Sequence, residues 1–135
     1  MTAKSIEKLL SANDTGETGS HMAGILVPKD QNFLNFFPAL NKSVKNPRAP
    51  LDLLDDTGRE WTFNFIYYNN RFFGGTRNEY RLTGMTAFLR EFNLHEGDSL
   101  IFSRISPGYF RVSYRRKDTD KKTIKLSPSW KIIET

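Results

Sequence analysis

Three consecutive side chains carry the hydrogen-bonding groups that distinguish bases in the major groove of DNA. They are Arg77, Asn78 and Glu79. An arginine guanidinium forks onto guanine, an asparagine amide pairs with adenine, and a carboxylate accepts a hydrogen bond from the cytosine amine. The triplet therefore favours direct reading of base sequence.

Two polar segments share this mixture of donors and acceptors. We call residues 11–21 the first arm and residues 69–81 the second arm. Because a carboxylate is repelled by phosphate, acidic residues in such loops favour base reading over plain attraction to the DNA backbone. Ordinary solvated loops with internal salt bridges have a similar composition, and composition alone leaves that alternative open. The candidate DNA-binding residues are Ser11, Asn13, Asp14, Thr15 and His21 in the first arm, and Asn69, Asn70, Arg71, Thr76, Arg77, Asn78, Glu79 and Arg81 in the second.

The net charge of +5 is concentrated in one part of the 135-residue chain. Residues 1–100 carry 11 Lys and Arg against 12 Asp and Glu, a net charge of −1. Residues 101–135 carry 9 against 3, a net charge of +6. A regional basic excess is expected of a surface that meets phosphates, whereas a solubilising charged hairpin is the alternative.

The composition argues against several classes of protein. The chain has no Cys, which excludes disulfides, thiolate metal sites and Cys nucleophiles. Two His residues are too few for a His-rich metal site, and the sequence holds no Gly-rich phosphate loop of the Walker type. With no long apolar window and no signal-peptide core, we expect a cytoplasmic protein that needs no cofactor and contacts no membrane.

Metal-dependent DNA hydrolysis is the enzymatic alternative. Asp120-Lys121-Lys122 fits the short D/E-x-K pattern of nucleases, and Asp55-Asp56 offers a carboxylate pair. Both lie beside predicted turns, and a three-residue pattern arises by chance in a chain with 35 charged residues. We therefore expect a binding domain with no catalytic residue and no metal site.

The elements that position the arms are predicted to be mainly short β-strands. Residues 61–67 alternate large apolar and polar side chains, which predicts a strand with one buried face. Pro107-Gly108 separates the apolar segments 99–103 and 109–114, which predicts a hairpin. A last strand is predicted around residues 122–126.

Two short helices complete the predicted set of elements. Residues 28–30 are expected to open the first, which carries apolar residues at helical spacing and closes near Pro38. Met85–Phe92 form the second. About seven strands and two helices at this spacing favour one small barrel over residues 1–135.

Both arms resemble those of a known family. Residues 10–21, LSANDTGETGSH, are similar to the first DNA-contacting arm of the N-terminal effector domain of EcoRII-type restriction endonucleases. Residues 66–81, IYYNNRFFGGTRNEYR, are similar to its second arm. The second helix and residues 96–102, EGDSLIF, resemble the wider "basic region three" family of plant transcription factors. Together these resemblances cover residues 5–115.

The resemblance implies an architecture and a target. The fold would be mainly β, an open seven-stranded DNA-binding pseudobarrel with two short helices, whose arms grip the major groove of double-stranded DNA. The target would be of the CCWGG type, where W is A or T. The full-length protein would carry a fused nuclease domain in a bacterial or archaeal cell, and a monomer would suffice for one site.

The resemblance also suggests roles for single residues. Arg77 and Arg81 would address guanine or its phosphate, and Glu79 would accept from cytosine. Asn78 would read adenine or orient a neighbour. Gly75 stands where the family arm has a Lys, and Tyr80 also replaces a basic residue.

A barrel that stacks single-stranded bases on exposed aromatic side chains is the alternative binding class. Phe72, Phe73 and Tyr80 are the candidates for stacking. The interpretation we favour is that these rings pin the second arm to the barrel. A protein-interaction module is a third class, which salt dependence of binding would distinguish.

Overall fold

The computed structural model describes residues 5–16, 24–106, 108–117 and 129–133. Within these ranges eight strands form one sheet, in the order β2-β5-β4-β3-β7-β6-β1-β8. The strands are β1 (Ser5–Leu9), β2 (Ile25–Val27), β3 (Arg48–Leu54), β4 (Glu60–Tyr68), β5 (Glu79–Thr83), β6 (Ser99–Ser106), β7 (Tyr109–Arg115) and β8 (Trp130–Ile133). The helices are α1 (Ala12–Thr15), α2 (Gln31–Leu34), α3 (Thr86–Glu91) and a 3-10 helix, Asn70–Phe73.

The sheet curls into an open barrel whose edges are β2 and β8. Adjacent strands are antiparallel except β3 and β7, which pair in parallel at Leu53–Phe110 and Leu54–Arg111. At the seam, the Trp130 Nε1 donates to the Leu26 carbonyl oxygen over 2.9 Å. Among the described residues, this side-chain bond links the two edges, and no backbone ladder forms between them. The prediction of a mainly β pseudobarrel is confirmed.

The core is largely aromatic. In β4 the alternation predicted from the sequence buries Trp61, Phe63 and Phe65 on one face. Phe63 meets Phe88 of α3 and Phe102 of β6 edge-to-face, with ring centroids 5.9 and 6.5 Å apart. Burying one such ring contributes roughly 1.5–3 kcal/mol. This core fixes the ends of β4 and β5, where the second arm begins and ends.

The structure differs from the sequence predictions in three elements. The described residues hold eight strands and three short α-helices, one more of each than predicted. Helix α2 ends at Leu34 rather than near Pro38, and the chain continues in turns in which the Phe36 and Phe37 amides donate to the carbonyl oxygens of Phe33 and Leu34. Phe36 and Phe37 lie beyond that helix yet are buried. The apolar spacing that predicted a longer helix therefore reflects packing of these rings in the core. The strand predicted around residues 122–126 lies outside the described residues.

The helices of the described residues are all short. None of them is long and apolar enough to span a membrane.

Candidate nucleic-acid interface

The second arm follows the end of β4, includes the first three residues of β5, and is braced by its own backbone. Tyr68 and Glu79 are paired across the two strands at its root. The Gly75 amide donates to the Asn70 carbonyl oxygen over 2.7 Å, and the Arg71 amide donates to the Arg77 carbonyl oxygen over 2.9 Å. These bonds tie the two sides of the arm to each other.

Two glycines permit this conformation. Gly74 has φ +91°, a left-handed backbone that favours glycine. A Cβ at Gly75 would lie 2.7 Å from the Asn70 Cγ, and the Asn70 Oδ1 accepts from the Arg77 amide over 2.6 Å. A side chain at position 75 would therefore require the Asn70 side chain to move and would disturb the brace.

Glu79 lies between two arginines. Its Oε1 accepts from the Arg77 Nε and Nη2, each over 2.8 Å. Its Oε2 accepts from the Arg81 Nε over 3.2 Å and Nη2 over 3.0 Å. Burial raises the pKa of Glu79, but the bonds and charges of Arg77 and Arg81 outweigh it and hold that pKa below its usual value. Glu79 is therefore an ionised bridge that orients both guanidinium groups.

The side chains of Arg77 and Arg81 differ in their exposure to solvent. The Arg77 guanidinium lies over the Tyr68 ring, 3.8 Å from its centroid, and the side chain is 40% exposed. The Arg81 side chain is 22% exposed, and its Nη1 donates to the Gly24 carbonyl oxygen over 3.0 Å. All three Arg81 side-chain nitrogens thus have internal partners. Of these two arginines, Arg77 is the one whose guanidinium is oriented and also left accessible.

Both the side chain and the backbone of Asn78 have hydrogen-bond partners. The Tyr67 hydroxyl donates to the side-chain Oδ1 over 2.5 Å, and the Lys29 Nζ donates to the backbone carbonyl oxygen over 3.1 Å. Reading adenine requires that Oδ1 as well as the amide nitrogen. This geometry favours the alternative in which Asn78 orients a neighbour.

Asn69 has a structural role at the root of the second arm. The side chain is 1% exposed, so it has no surface for a DNA contact. Its Oδ1 accepts from the Asn46 amide over 2.7 Å, and its Nδ2 donates to the Val44 carbonyl oxygen over 2.9 Å. The placement departs from its grouping with the DNA-binding candidates.

The aromatic residues of the second arm divide into two groups. Tyr80 is buried and stacks on Tyr67, with centroids 4.2 Å apart, and its burial raises its pKa. Phe72 and Phe73 are 67% and 45% exposed, beside the exposed Arg71 and Thr76. The interpretation that these rings pin the arm to the barrel is correct for Tyr80 and wrong for the two phenylalanines.

The described part of the first arm is a capped helical turn. The Asp14 amide donates to the Ser11 Oγ over 3.1 Å, and the Ser11 amide donates to the Asp14 Oδ2 over 2.9 Å, which forms a capping box. The Thr15 hydroxyl donates to the Ala12 carbonyl oxygen. Asn13 is exposed, whereas His21 lies outside the described residues.

Lys8 anchors this turn and was missed in the sequence. Its Nζ lies 3.2 Å from the Asp14 Oδ2, and both side chains are largely buried. The available signal was a lysine between the apolar residues of a strand. Tyr68, the ring under Arg77, was also missed, because nothing in the sequence indicates which arginine it faces.

The carboxylate pair considered for nuclease chemistry is part of a turn. The Asp55 Oδ1 accepts from the amides of Thr57 and Arg59, and its Oδ2 accepts from the Trp61 Nε1 over 2.9 Å. Burial alone raises the pKa of Asp55, but these bonds lower it to about 2. Asp56 accepts from the Ser113 hydroxyl over 2.7 Å. In the part of the chain that the structure describes, no three His, Asp or Glu residues are grouped to hold a metal, and residues 120–122 lie outside that part.

Comparison with known proteins points to one family. Residues 2–103 match the family described as "Restriction endonuclease EcoRII, N-terminal". The chain is similar to the type II restriction enzyme EcoRII of Escherichia coli, 42% identical over 84 residues that cover 56% of this chain and 19% of that enzyme. It is also similar to the B3 domain-containing transcription repressor VAL1 of Arabidopsis thaliana, 36% identical over 111 residues that cover 82% of this chain and 12% of that protein.

The chain thus spans less than a fifth of the length of either relative. Among solved structures it is similar to a chain of one described as "Arabidopsis FUS3-DNA complex", with a TM-score of 0.64 and 22% identity. That likeness covers 83% of this chain and 96% of the other, and it shows a shared fold.

Proposed function

This chain belongs to the EcoRII N-terminal domain family, and from that membership we propose that it binds double-stranded DNA in a sequence-specific manner, with its second arm in the major groove. The observation that carries the proposal is the Arg77 guanidinium, stacked on Tyr68, bonded to Glu79 and 40% exposed. An arginine held in this way loses little conformational freedom on binding.

Arg77 is proposed to read guanine. Its Nε and one hydrogen of Nη2 face Glu79, which leaves the outer edge, formed by Nη1 and Nη2, to address a base. Guanine presents two acceptors, O6 and N7, to such a fork. Glu79 and Arg81 then support Arg77 rather than read bases themselves, which refines the roles expected from the resemblance.

The target is proposed to be a CCWGG-type site. The similarity to EcoRII and the resemblance of residues 66–81 to the second arm of the family support this choice. The chain is proposed to be non-catalytic, and a nuclease domain would lie elsewhere in the full-length protein, in the cytoplasm of a bacterial or archaeal cell. One monomer is proposed to occupy one site.

Fluorescence anisotropy at two salt concentrations tests the proposal. The ligands are a CCWGG duplex, the same duplex with one C·G pair changed, and the matching single strand. We expect the CCWGG duplex to bind most tightly, with the single changed pair costing ~1–3 kcal/mol. Equal affinity for the two duplexes would leave a non-specific DNA-binding barrel and contradict the proposal.

The exposed Phe72 and Phe73 favour one second candidate, a single-strand binder. Stacking of a base on an aromatic ring contributes about 1–3 kcal/mol, so this function would make the single strand the preferred ligand. Phe72→Ser/Phe73→Ser would then weaken single-strand binding selectively. Under our proposal the same variant still prefers the duplex.

A further inference from the structure

A short basic segment lies next to the root of the second arm. Residues 41–48, NKSVKNPR, which we call the basic loop, carry three cations and no acidic residue. Lys42, Lys45 and Arg48 are all exposed. Among the described residues, no carboxylate lies within 4.0 Å of any of the three cationic groups. By contrast, the exposed Arg59 pairs with Glu91 over 3.4 Å.

The backbone of the basic loop is bonded to the arm through Asn69. The Asn69 amide group accepts from the Asn46 amide and donates to the carbonyl oxygens of Val44 and Lys42, over 2.7, 2.9 and 3.5 Å. Asn46 holds the left-handed backbone that brings its amide to this position, with φ +51°. The loop thus wraps around a side chain that belongs to the arm.

The strand beside the arm holds the loop a second time. The Tyr67 amide donates to the Pro47 carbonyl oxygen over 3.0 Å, and Arg48 is paired with Ile66 in the β3–β4 ladder. Tyr67 is the residue whose hydroxyl bonds Asn78 of the arm. The basic loop therefore keeps a fixed position relative to the second arm.

We propose that the basic loop is a third DNA-contacting element, which binds backbone phosphates beside the bases that the second arm reads, and that Asn69 is its positioning residue. The inference rests on the proposed DNA binding. Unpaired lysines suit phosphates, which they bind as point charges without reading sequence. The basic loop thus adds affinity, and the arm adds discrimination.

Neutralising the loop tests its role. Lys42→Ala/Lys45→Ala is compared with a matched control, Arg59→Ala/Arg90→Ala, which removes two exposed cations at the far end of the β3–β4 hairpin and from α3. Affinity for the CCWGG duplex and for the duplex with one changed pair is measured between about 50 mM and about 200 mM salt.

The expected result separates the loop from the arm. The loop variant loses about 0.9 of salt slope for each phosphate contact removed, and it weakens both duplexes by the same factor. The control keeps the wild-type slope. If the loop variant behaves like the control while the wild-type chain discriminates between duplexes, the inference fails and the proposed function stands. If the wild-type chain shows no salt-dependent DNA binding, the proposed function fails as well.

Asn69 is tested by coupling rather than by loss alone. In an Asn69→Ala background, the two lysine substitutions are expected to reduce affinity by a smaller factor than in the wild-type chain, because the loop is no longer held. If the two lysine substitutions reduce affinity by the same factor in both backgrounds, Asn69 does not position the loop. Thermal melting of each variant confirms that the chains compared are folded.

Discussion

The two arms have similar polar compositions but use their side chains differently. In the described part of the first arm, Ser11 and Asp14 bond each other, and Lys8 neutralises Asp14 from the strand below. In the second arm, Glu79 also has internal partners, but those partners include Arg77, which is left 40% exposed. The Asp14 carboxylate stabilises its own helical turn, whereas the Glu79 carboxylate orients the exposed guanidinium of Arg77.

This difference shows how to interpret an acidic residue in a DNA-binding loop. Asp14 and Glu79 were both predicted to contact bases, since phosphate repels a carboxylate. In the structure each has an internal reason to be present, and only Glu79 is connected to a group that a base could meet.

The largest effect is expected from breaking the anchor of the first arm. Lys8→Met leaves the carboxylate of Asp14 largely buried without its cation, which should cost about 3 kcal/mol of unfolding free energy. Chemical denaturation measures this, with the exposed Lys29→Met as the control, expected to cost about 0.5 kcal/mol. Equal losses in the two variants would mean that the buried pair does not anchor the turn.

The next effect concerns discrimination by the second arm. Arg77→Ala should reduce the preference for the CCWGG duplex over the changed duplex by ~1–3 kcal/mol, because the guanine-reading fork is lost. Arg71→Ala removes an exposed cation from the same arm and should weaken both duplexes alike. Anisotropy titrations give both ratios. If the preference survives in Arg77→Ala but is lost in Arg71→Ala, then Arg71 rather than Arg77 reads the base, and the prediction is wrong.

A smaller effect separates support from direct reading by Glu79. If Glu79 acts through Arg77, Glu79→Ala should cost little further discrimination in an Arg77→Ala background, with a coupling energy of about 1 kcal/mol. The double-mutant cycle is measured on the same two duplexes. Additive losses would show that Glu79 contacts cytosine independently.

The smallest effect is a pH dependence in the 55–59 turn, where a carboxylate serves only the fold. The folded-state pKa of Asp55, about 2, lies below its ordinary value of 3.8. Its stabilisation is therefore complete above about pH 4 and is lost as pH falls towards 2. Asp55→Asn should lower the melting temperature at pH 7 and flatten its decline between pH 4 and 2, with discrimination between duplexes unchanged. A parallel decline in both proteins would contradict the assignment.

Local pattern predicted strand β4 and the β6–β7 hairpin correctly. The alternation over residues 61–67 identified β4, and Pro107-Gly108 separated β6 from β7. Both features depend on neighbours in sequence, which a pattern can show. Helix α2 was predicted too long because buried side chains after a bend keep a spacing that resembles a helix.

The site was less predictable because its decisive contacts are distant in sequence. Asn69 is bonded to the backbone of residues 42–46, more than twenty positions away, so its burial could not be foreseen. The cations of the basic loop are sparser in sequence than the basic excess after residue 100, and only the fold brings them beside the arm. The exposure of Phe72 likewise depends on the 3-10 helix.

The central claim, that Arg77 of the second arm reads sequence in double-stranded DNA, is tested most directly by selection from a random duplex library. The wild-type chain and Arg77→Ala are carried through the same rounds. We expect the wild-type chain to enrich a CCWGG-type motif and Arg77→Ala to lose the preference at one or more of its guanines. Enrichment of no motif by the wild-type chain, or of an identical motif by both chains, would contradict the role of Arg77.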